Sequence, residues 1–382
     1  MKISCTQENL NQGLFAVSHI ASKNSSLPIL NNILIKAKDN NIIISSTNLE
    51  MGISCSVRGK VEEEGEVTIQ SKLFYDYISL LPKERVDITV KENNEESYLI
   101  DVSCKNYNTS ITGQSAIDFP LIPNIEKNNS FTINPKVLRE SLAQVIFAVS
   151  LSETRPEMNG VFFNINGEIL TIAATDSFRL AEKKIKINNV SKSNHQIIIP
   201  VKTLQEIQRI LGGVKDSADI NEIEDVGVFL SDNQIAFSFN SIELVSRLVE
   251  GQYPDYQQII PQKFNTTVSF GVSECVKAVK TASLFSKTGM YDVVFDCQSK
   301  KGLIVISSTQ SHLGESNASL NANISGEDQK VVINYRYLLD GLQNISTQGV
   351  VLNIIDNQSA CVIKSEDGSD EYLYIVMPIN NN

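Results

Sequence analysis

Three stretches of this chain repeat one another at a spacing of about 130 residues, and that periodicity limits the fold more than any single motif does. Leu14-Phe15-Ala16-Val17-Ser18 returns as Ile146-Phe147-Ala148-Val149-Ser150. An apolar strand followed by a Thr-containing turn occurs at Ser46-Thr47-Asn48-Leu49, at Ala174-Thr175-Asp176-Ser177 and at Ser308-Thr309-Gln310-Ser311. A short helix ending in Leu81, Leu211 and Ile345 is the third anchor. The offsets agree closely, so the chain reads as three copies of one domain. Internal repeats of this kind point to an architecture whose work is geometric, such as a ring, a solenoid or an array.

A chain of 382 residues is long enough for two or three domains, and the repeat selects three, with expected bounds 1–127, 128–260 and 261–382. Each is large enough to bury a core of its own. No apolar run approaches the roughly 20 residues needed to span a bilayer. The opening Met1-Lys2-Ile3-Ser4-Cys5-Thr6 turns polar at once, without a signal-peptide core, and a cytoplasmic location is expected. Cys5, Cys55, Cys104, Cys275, Cys297 and Cys361 show no C-x-x-C pair and no metal-ligand spacing, which reads as scattered reduced thiols. A net charge of −11 argues against holding nucleic acid by bulk electrostatics.

Within each copy the patterns alternate between helix and strand. In the second, Asn134 is placed to cap a helix with Pro135 at its first position, and Leu138, Leu142, Val145, Ile146 and Val149 share one face. Strands are expected at Val161 to Ile165, Ile169 to Ala173 and Ile235 to Phe239, with a second helix from Pro200 to Gly212-Gly213. Helices are expected over 6–21, 71–81, 134–149, 200–211, 273–285 and 334–345. Two helices among many half-buried strands per copy make an α+β fold with helices on one face of antiparallel sheet. The acidic runs Glu62-Glu63-Glu64 and Glu366-Asp367-Gly368 read as solvated hairpin loops.

Catalytic motifs do not assemble. Ser231-Asp232-Asn233 and Lys287-Thr288-Gly289 match two signatures of penicillin-recognising serine enzymes, but the S-x-x-K that supplies the nucleophile is missing. There is no Walker A loop and no G-x-S-x-G, and His19, His195 and His312 lie outside any H-E-x-x-H. Asp176 beside Arg179 reads as an ion pair fixing a turn. No catalytic residue, metal or cofactor is expected.

Thr175-Asp176-Ser177-Phe178-Arg179-Leu180-Ala181, after an apolar strand, resembles the T-D-x-x-R-L-A signature of bacterial sliding clamps, the beta subunits of DNA polymerase III. Leu27-Pro28-Ile29-Leu30, Thr47-Asn48-Leu49-Glu50, Asp118-Phe119-Pro120, Met158-Asn159-Gly160-Val161, Tyr253-Pro254-Asp255-Tyr256 and Val376-Met377-Pro378-Ile379 continue the match in order, over essentially the whole chain. The resemblance implies three clamp domains and a head-to-tail homodimer closed into a ring, with helices lining the hole, sheets outside and duplex DNA passing through unread. It also implies a groove that docks short linear motifs of the DNA polymerase III alpha subunit, the clamp loader, other DNA polymerases and mismatch-repair proteins. Carried over by motif, that groove comprises Met158, Thr175, Ser177, Phe178, Arg179, Leu180, Pro254, Ile259, Met290, Asn334, Tyr337, Ile375, Val376, Met377, Pro378 and Ile379. Ser177 stands where the family commonly has Gly, Gln258 where Arg is common, and Asn380 follows the terminal motif, which puts partner preference at the rim in question.

The charge layout bears on the same reading. The six helical windows hold eight basic and six acidic side chains, a net +2 against −13 for the rest. A weakly positive bore inside an acidic shell suits a protein that must slide. The basic residues expected at DNA are Lys23, Lys72, Lys136, Arg139, Arg155, Lys202, Arg209, Lys277 and Lys280, and Glu157 lies where the family can carry an aromatic residue. The dimer is expected to join Thr109 and Ile111 of one protomer to Leu284 and Phe285 of the next. On the residues alone, a three-repeat scaffold that binds protein motifs without encircling DNA stands as the first alternative, and a hydrolase built around Asp176 and Arg179, disfavoured by the missing nucleophile and metal ligands, as the second.

Overall fold

The computed structural model describes residues 1–21, 27–94, 97–126, 129–152, 154–191, 194–213, 224–287, 289–310, 312–368 and 371–379. The first repeat runs β1 (Lys2–Thr6), α1 (Gln7–Val17), β2 (Asn32–Lys38), β3 (Asn41–Thr47), β4 (Met51–Val57), β5 (Gly59–Glu63), β6 (Gly65–Gln70), α2 (Ser71–Leu80), β7 (Arg85–Asn94), β8 (Ser97–Cys104) and β9 (Tyr107–Gln114). The second runs β10 (Asn129–Ile133), α3 (Pro135–Val145), β11 (Gly160–Asn166), β12 (Ile169–Thr175), β13 (Arg179–Lys186), β14 (His195–Pro200), α4 (Val201–Gly213), β15 (Val226–Leu230), β16 (Gln234–Phe239) and β17 (Ile242–Arg247). The third runs β18 (Thr266–Gly271), α5 (Val272–Ser283), β19 (Asp292–Gln298), β20 (Leu303–Gln310), β21 (Gly314–Asn321), β22 (Asn323–Gly326), β23 (Gln329–Asn334), α6 (Tyr335–Gln343), β24 (Gly349–Ile354), β25 (Cys361–Ser365) and β26 (Tyr372–Val376).

All six expected helices form. Thr6 caps α1 by accepting from the Asn9 N–H, and Asn134 caps α3 by accepting from the N–H groups of Lys136 and Val137 at 3.0 and 3.2 Å. α1 is shorter than its window and ends at Val17, with Ser18 still bonding back to the Leu14 carbonyl. The acidic run of the first repeat is a correction. Glu62 and Glu63 lie in β5 rather than in a loop, and Glu62 pairs with Lys2 at 2.8 Å.

Every strand pairing between these elements is antiparallel, in sheets of 13, nine and four strands. The chain forms two compact units, 1–139 with 187–192 and 205–248, and 140–186 with 193–204 and 249–382. The middle repeat is therefore shared between them. Its β10, β15, β16 and β17 continue the sheet of the first repeat, while β11 to β14 join β26, β25, β24, β18 and β22 of the third. The joining contacts are β17 on β4, with Leu244 opposite Ile53, and β26 on β13, with Ile375 opposite Leu180.

Among the described residues β5, β10, β14, β21, β22 and β23 end their sheets, and β9 is nearly open on one side. β9 pairs with β8 along its length but touches β6 only at Thr68 opposite Gln114. β21 pairs with β20 alone and ends its sheet.

In the first unit α1 packs on α2, with Leu10, Leu14, Phe74 and Ile78 of these helices buried, and in the second α5 packs on α6, with Cys275, Val279, Leu338 and Leu342 buried. All six cysteines are buried and unpaired, and burial pushes the thiols of Cys5, Cys275, Cys297 and Cys361 up to about 12. They act as small apolar side chains. No helix among the described residues is long and apolar enough to cross a membrane.

Candidate functional site

The signature segment of the second repeat is a tight turn between β12 and β13. Thr175 Oγ1 donates to the Arg179 carbonyl at 2.7 Å and accepts from the Ser177 N–H at 3.2 Å. Asp176 Oδ1 accepts from the N–H groups of Phe178 at 2.9 Å and Arg179 at 3.0 Å. Thr and Asp supply these bonds because their short side chains reach the backbone two or three residues on. The turn drives Ser177 to φ +78°, a left-handed conformation that Gly adopts at least cost, which accounts for Gly being common there in the resembled family. It also throws Phe178 outward, 60% exposed.

Arg179 does the opposite. Its guanidinium turns inward, donating from Nε to Asp176 at 2.9 Å, from Nη1 to Asp340 at 2.5 Å and from Nη2 to the Phe147 carbonyl at 2.7 Å. It stacks 4.5 Å from the Tyr337 ring. The ion pair expected with Asp176 is present, extended by Asp340 and Phe147. Sequence reasoning missed those two, because nothing local marks contacts between residues 161 and 32 positions apart.

The C-terminal segment lies along the turn. Arg179 stands opposite Val376 in the β13–β26 ladder, and beyond it the Met377 N–H donates to the Phe178 carbonyl at 2.8 Å. The Ile379 N–H donates to the Val332 carbonyl at 2.7 Å, so this segment is tied at both ends. On the other flank Tyr253 stacks on Phe162, with ring centroids 4.9 Å apart, and Tyr256 donates to Glu182 at 2.6 Å. These rings join Leu180, Ile198, Val362 and Ile375 in one buried cluster that fixes the Pro254 segment.

The expected groove residues divide into two sets. Phe178, Ile259 and Met290 are exposed, as are Ser177 and Pro254, while Met377, Ile379, Asn334 and Tyr337 are half-buried. Met158, Thr175, Leu180, Ile375, Val376 and Pro378 are buried and hold the first set from beneath. Asn334 also caps α6 by accepting from the Arg336 N–H at 2.9 Å. Asn380 lies outside the described residues.

Of the basic residues expected at DNA, Lys72, Lys136, Lys202, Lys277, Lys280 and Arg155 are exposed and Arg139 is half-buried. Lys23 lies outside the described residues. Arg209 is half-buried. It grips Glu206 through Nε and Nη2, donates to the carbonyls of Phe15 and Ala16, and stacks 4.4 Å from the Phe15 ring. Its Nε and Nη2 donors are engaged inside the protein. Of the expected interface residues Leu284 is 72% exposed and Phe285 half-buried, while Thr109 and Ile111 lie on β9, which meets β6 at one residue pair only. Leu73, Leu80 and Leu313 are also exposed apolar residues, which the sequence pattern alone did not single out.

Residues 1–123, 132–255 and 257–380 match the N-terminal, central and C-terminal domain models of the DNA polymerase III beta subunit. The chain is 30% identical over 379 residues to the beta sliding clamp of Staphylococcus epidermidis, covering 97% of this chain and 96% of that one. It is similar to the crystal structure of the DNA polymerase sliding clamp from Bacillus subtilis, with a TM-score of 0.92 and 25% identity over the whole of both chains. The sliding clamp of Pseudomonas aeruginosa bound to griselimycin gives a TM-score of 0.89 and 25% identity, covering 100% of this chain and 99% of that one.

Proposed function

The chain belongs to the family of DNA polymerase III beta subunits, the bacterial sliding clamps, and we propose that it encircles duplex DNA as a replication processivity factor. Its three clamp domains are read as 1–127, 128–260 and 261–382. The work is topological: the ring holds the replicative polymerase on its template without reading sequence and without chemistry of its own.

The observation that carries this reading is a rule of strand pairing. The last strand of the second repeat, β17, pairs with β4 of the first, and the last strand of the third, β26, pairs with the corresponding β13 of the second. The two strands left over under that rule are β9, which meets β6 at a single residue pair, and β21, which ends its sheet. Joining β9 of one protomer to β21 of another repeats the same junction between chains. Such a head-to-tail contact either closes into a ring or runs on as a filament. Two protomers closing on each other give the homodimeric ring.

Lys23, Lys72, Lys136, Arg139, Arg155, Lys202, Lys277 and Lys280 form the proposed DNA-facing set, without Arg209. The rim of Phe178, Ile259, Met290 and Met377 is the proposed docking groove for short motifs of the polymerase alpha subunit, the clamp loader, other polymerases and mismatch-repair proteins. Adaptable Met side chains beside an exposed aromatic suit Leu and Phe anchors.

The test uses retention on closed circular DNA. Protein loaded by a clamp loader stays bound as salt rises and leaves once a nuclease linearises the circle. An ordinary protein making six to ten phosphate contacts would lose about 10³–10⁵ in affinity between 50 and 200 mM salt. Release on salt addition with the circle intact would overturn the reading.

A further inference from the structure

The turn at Thr175–Leu180 has a twin in the first repeat. Thr47 Oγ1 donates to the Met51 carbonyl at 2.9 Å and accepts from the Leu49 N–H at 3.1 Å. Asn48 Oδ1 accepts from the N–H groups of Glu50 at 3.0 Å and Met51 at 2.8 Å. These are the bonds of Thr175 and Asp176, partner for partner. The flanking strand matches too. Met51 stands opposite Ser246 as Arg179 stands opposite Val376. The Arg247 N–H donates to the Glu50 carbonyl at 3.0 Å as the Met377 N–H donates to Phe178. Arg247 is thus the counterpart of Met377, and Leu49 that of Ser177.

Beside this twin turn lies a cavity of about 530 Å³ whose lining includes Leu49, Met51, Pro120, Leu121, Pro123 and Arg247. Leu121 is 96% and Leu49 48% exposed. Exposed aliphatic side chains around a concave site match the anchors of an extended peptide. The chemistry of the rim differs from that of the first site. Arg247 is exposed and makes no ion pair among the described residues, so its guanidinium is available to a carboxylate. Glu50 on the same lining disfavours a second anionic group.

We propose that this groove is a second docking site, taking an extended peptide segment of a partner protein with aliphatic anchors next to one carboxylate. It inherits its backbone frame from the repeat, and Leu49 and Arg247 give it a selectivity that Ser177 and Met377 cannot.

The test titrates a fluorescein-labelled peptide, acetyl-Ser-Leu-Ala-Leu-Asp-Gly-amide, into the full chain and follows anisotropy. Binding persists in Phe178→Ser, weakens about tenfold or more in Leu121→Asp and in Arg247→Glu, and recovers in Arg247→Glu when the peptide Asp is replaced by Lys. Both altered side chains are exposed, and circular dichroism checks that each variant is folded; Arg247→Ala serves where the charge reversal is not. Four outcomes overturn the proposal: no saturable binding to the unaltered chain, affinity indifferent to Leu121 and Arg247, binding lost in Phe178→Ser, or a changed oligomeric state in Leu121→Asp. The last would make this face a contact between copies of the chain.

Discussion

Leu49 and Ser177 hold the same left-handed backbone conformation, at φ +75° and +78°, at the same step of the same turn. Neither residue favours that region, and a residue with a Cβ there costs roughly 1–2 kcal/mol. The conformation persists because the Thr–Asn and Thr–Asp pairs preceding these residues bind the backbone on both sides of them. The turn is therefore specified by its first two residues, and its third is free to vary with function.

Ser177→Gly should raise stability by about 0.5–1 kcal/mol. Relief of the left-handed strain outweighs the added freedom of the unfolded chain. Urea unfolding monitored by circular dichroism reads the change, and a fall in midpoint would mean that the Ser177 side chain contributes more than its strain costs.

Arg179→Met should destabilise by about 3 kcal/mol. The guanidinium side chain is 11% exposed, and its removal strands Asp176 and the Phe147 carbonyl. The same variant should lose peptide binding at the Phe178 rim, because the turn loses its inward anchor. A variant as stable as the parent would show that water replaces the side chain at these partners.

Much of this was legible in the residues. The helices and most strands followed from apolar periodicity, and the threefold repeat followed from anchors such as Thr47 and Thr175. Burial was harder to read. Leu180, Ile375 and Val376 looked like a groove wall, yet their ladder partners turn them into the core beneath it. Arg209 looked like a free cation on a helix, but its partners Phe15 and Ala16 lie in another repeat. The division of the middle repeat between two units was equally invisible, since strand pairing across repeats leaves no periodic signal.

Peptide binding at the first groove should depend on its exposed rim. A peptide with Leu and Phe anchors is expected to bind with roughly micromolar affinity, because ordering offsets much of its burial. Phe178→Ser and Met290→Asp should each abolish the calorimetric signal while leaving the melting curve unchanged. Unaltered affinity in both would place the docking site elsewhere.

Asp101 gives an acid dependence. Its carboxylate accepts from Lys91 at 2.8 Å and from Ser110 at 2.5 Å, and these bonds hold it below the usual value of 3.8. The stabilisation is full above that value and is lost as pH falls through the lower folded one. Asp101→Asn should therefore lower the urea midpoint at neutral pH, with the difference from the parent vanishing toward about pH 2. A difference that persisted in acid would show that the carboxylate's charge is not what these partners stabilise.

Register within the chain sets the register between protomers. Val245 stands opposite Gly52 at one internal junction and Ile375 opposite Leu180 at the other. Hairpin closure aligns Ser110 with Val245, since Cys104 opposite Tyr107 matches Phe239 opposite Ile242. Glu315 lies opposite Thr309 as Gly52 lies opposite Thr47. Ser110 of one protomer should then face Glu315 of the next. Directly opposed residues on antiparallel strands have Cα atoms about 4.5–5.5 Å apart, within the span of a disulfide. Ser110→Cys with Glu315→Cys should cross-link under mild oxidation to a covalent dimer, visible on a non-reducing gel. The native cysteines are all buried and should stay silent. Leu284 and Phe285 should supply the apolar part of the same contact, at roughly 1.5–3 kcal/mol each. Replacing both with Glu should give a monomer in sedimentation and suppress the cross-link. Cross-linking no faster than with Ser110→Cys alone, or a dimer that survives loss of Leu284 and Phe285, would break the pairing of β9 with β21.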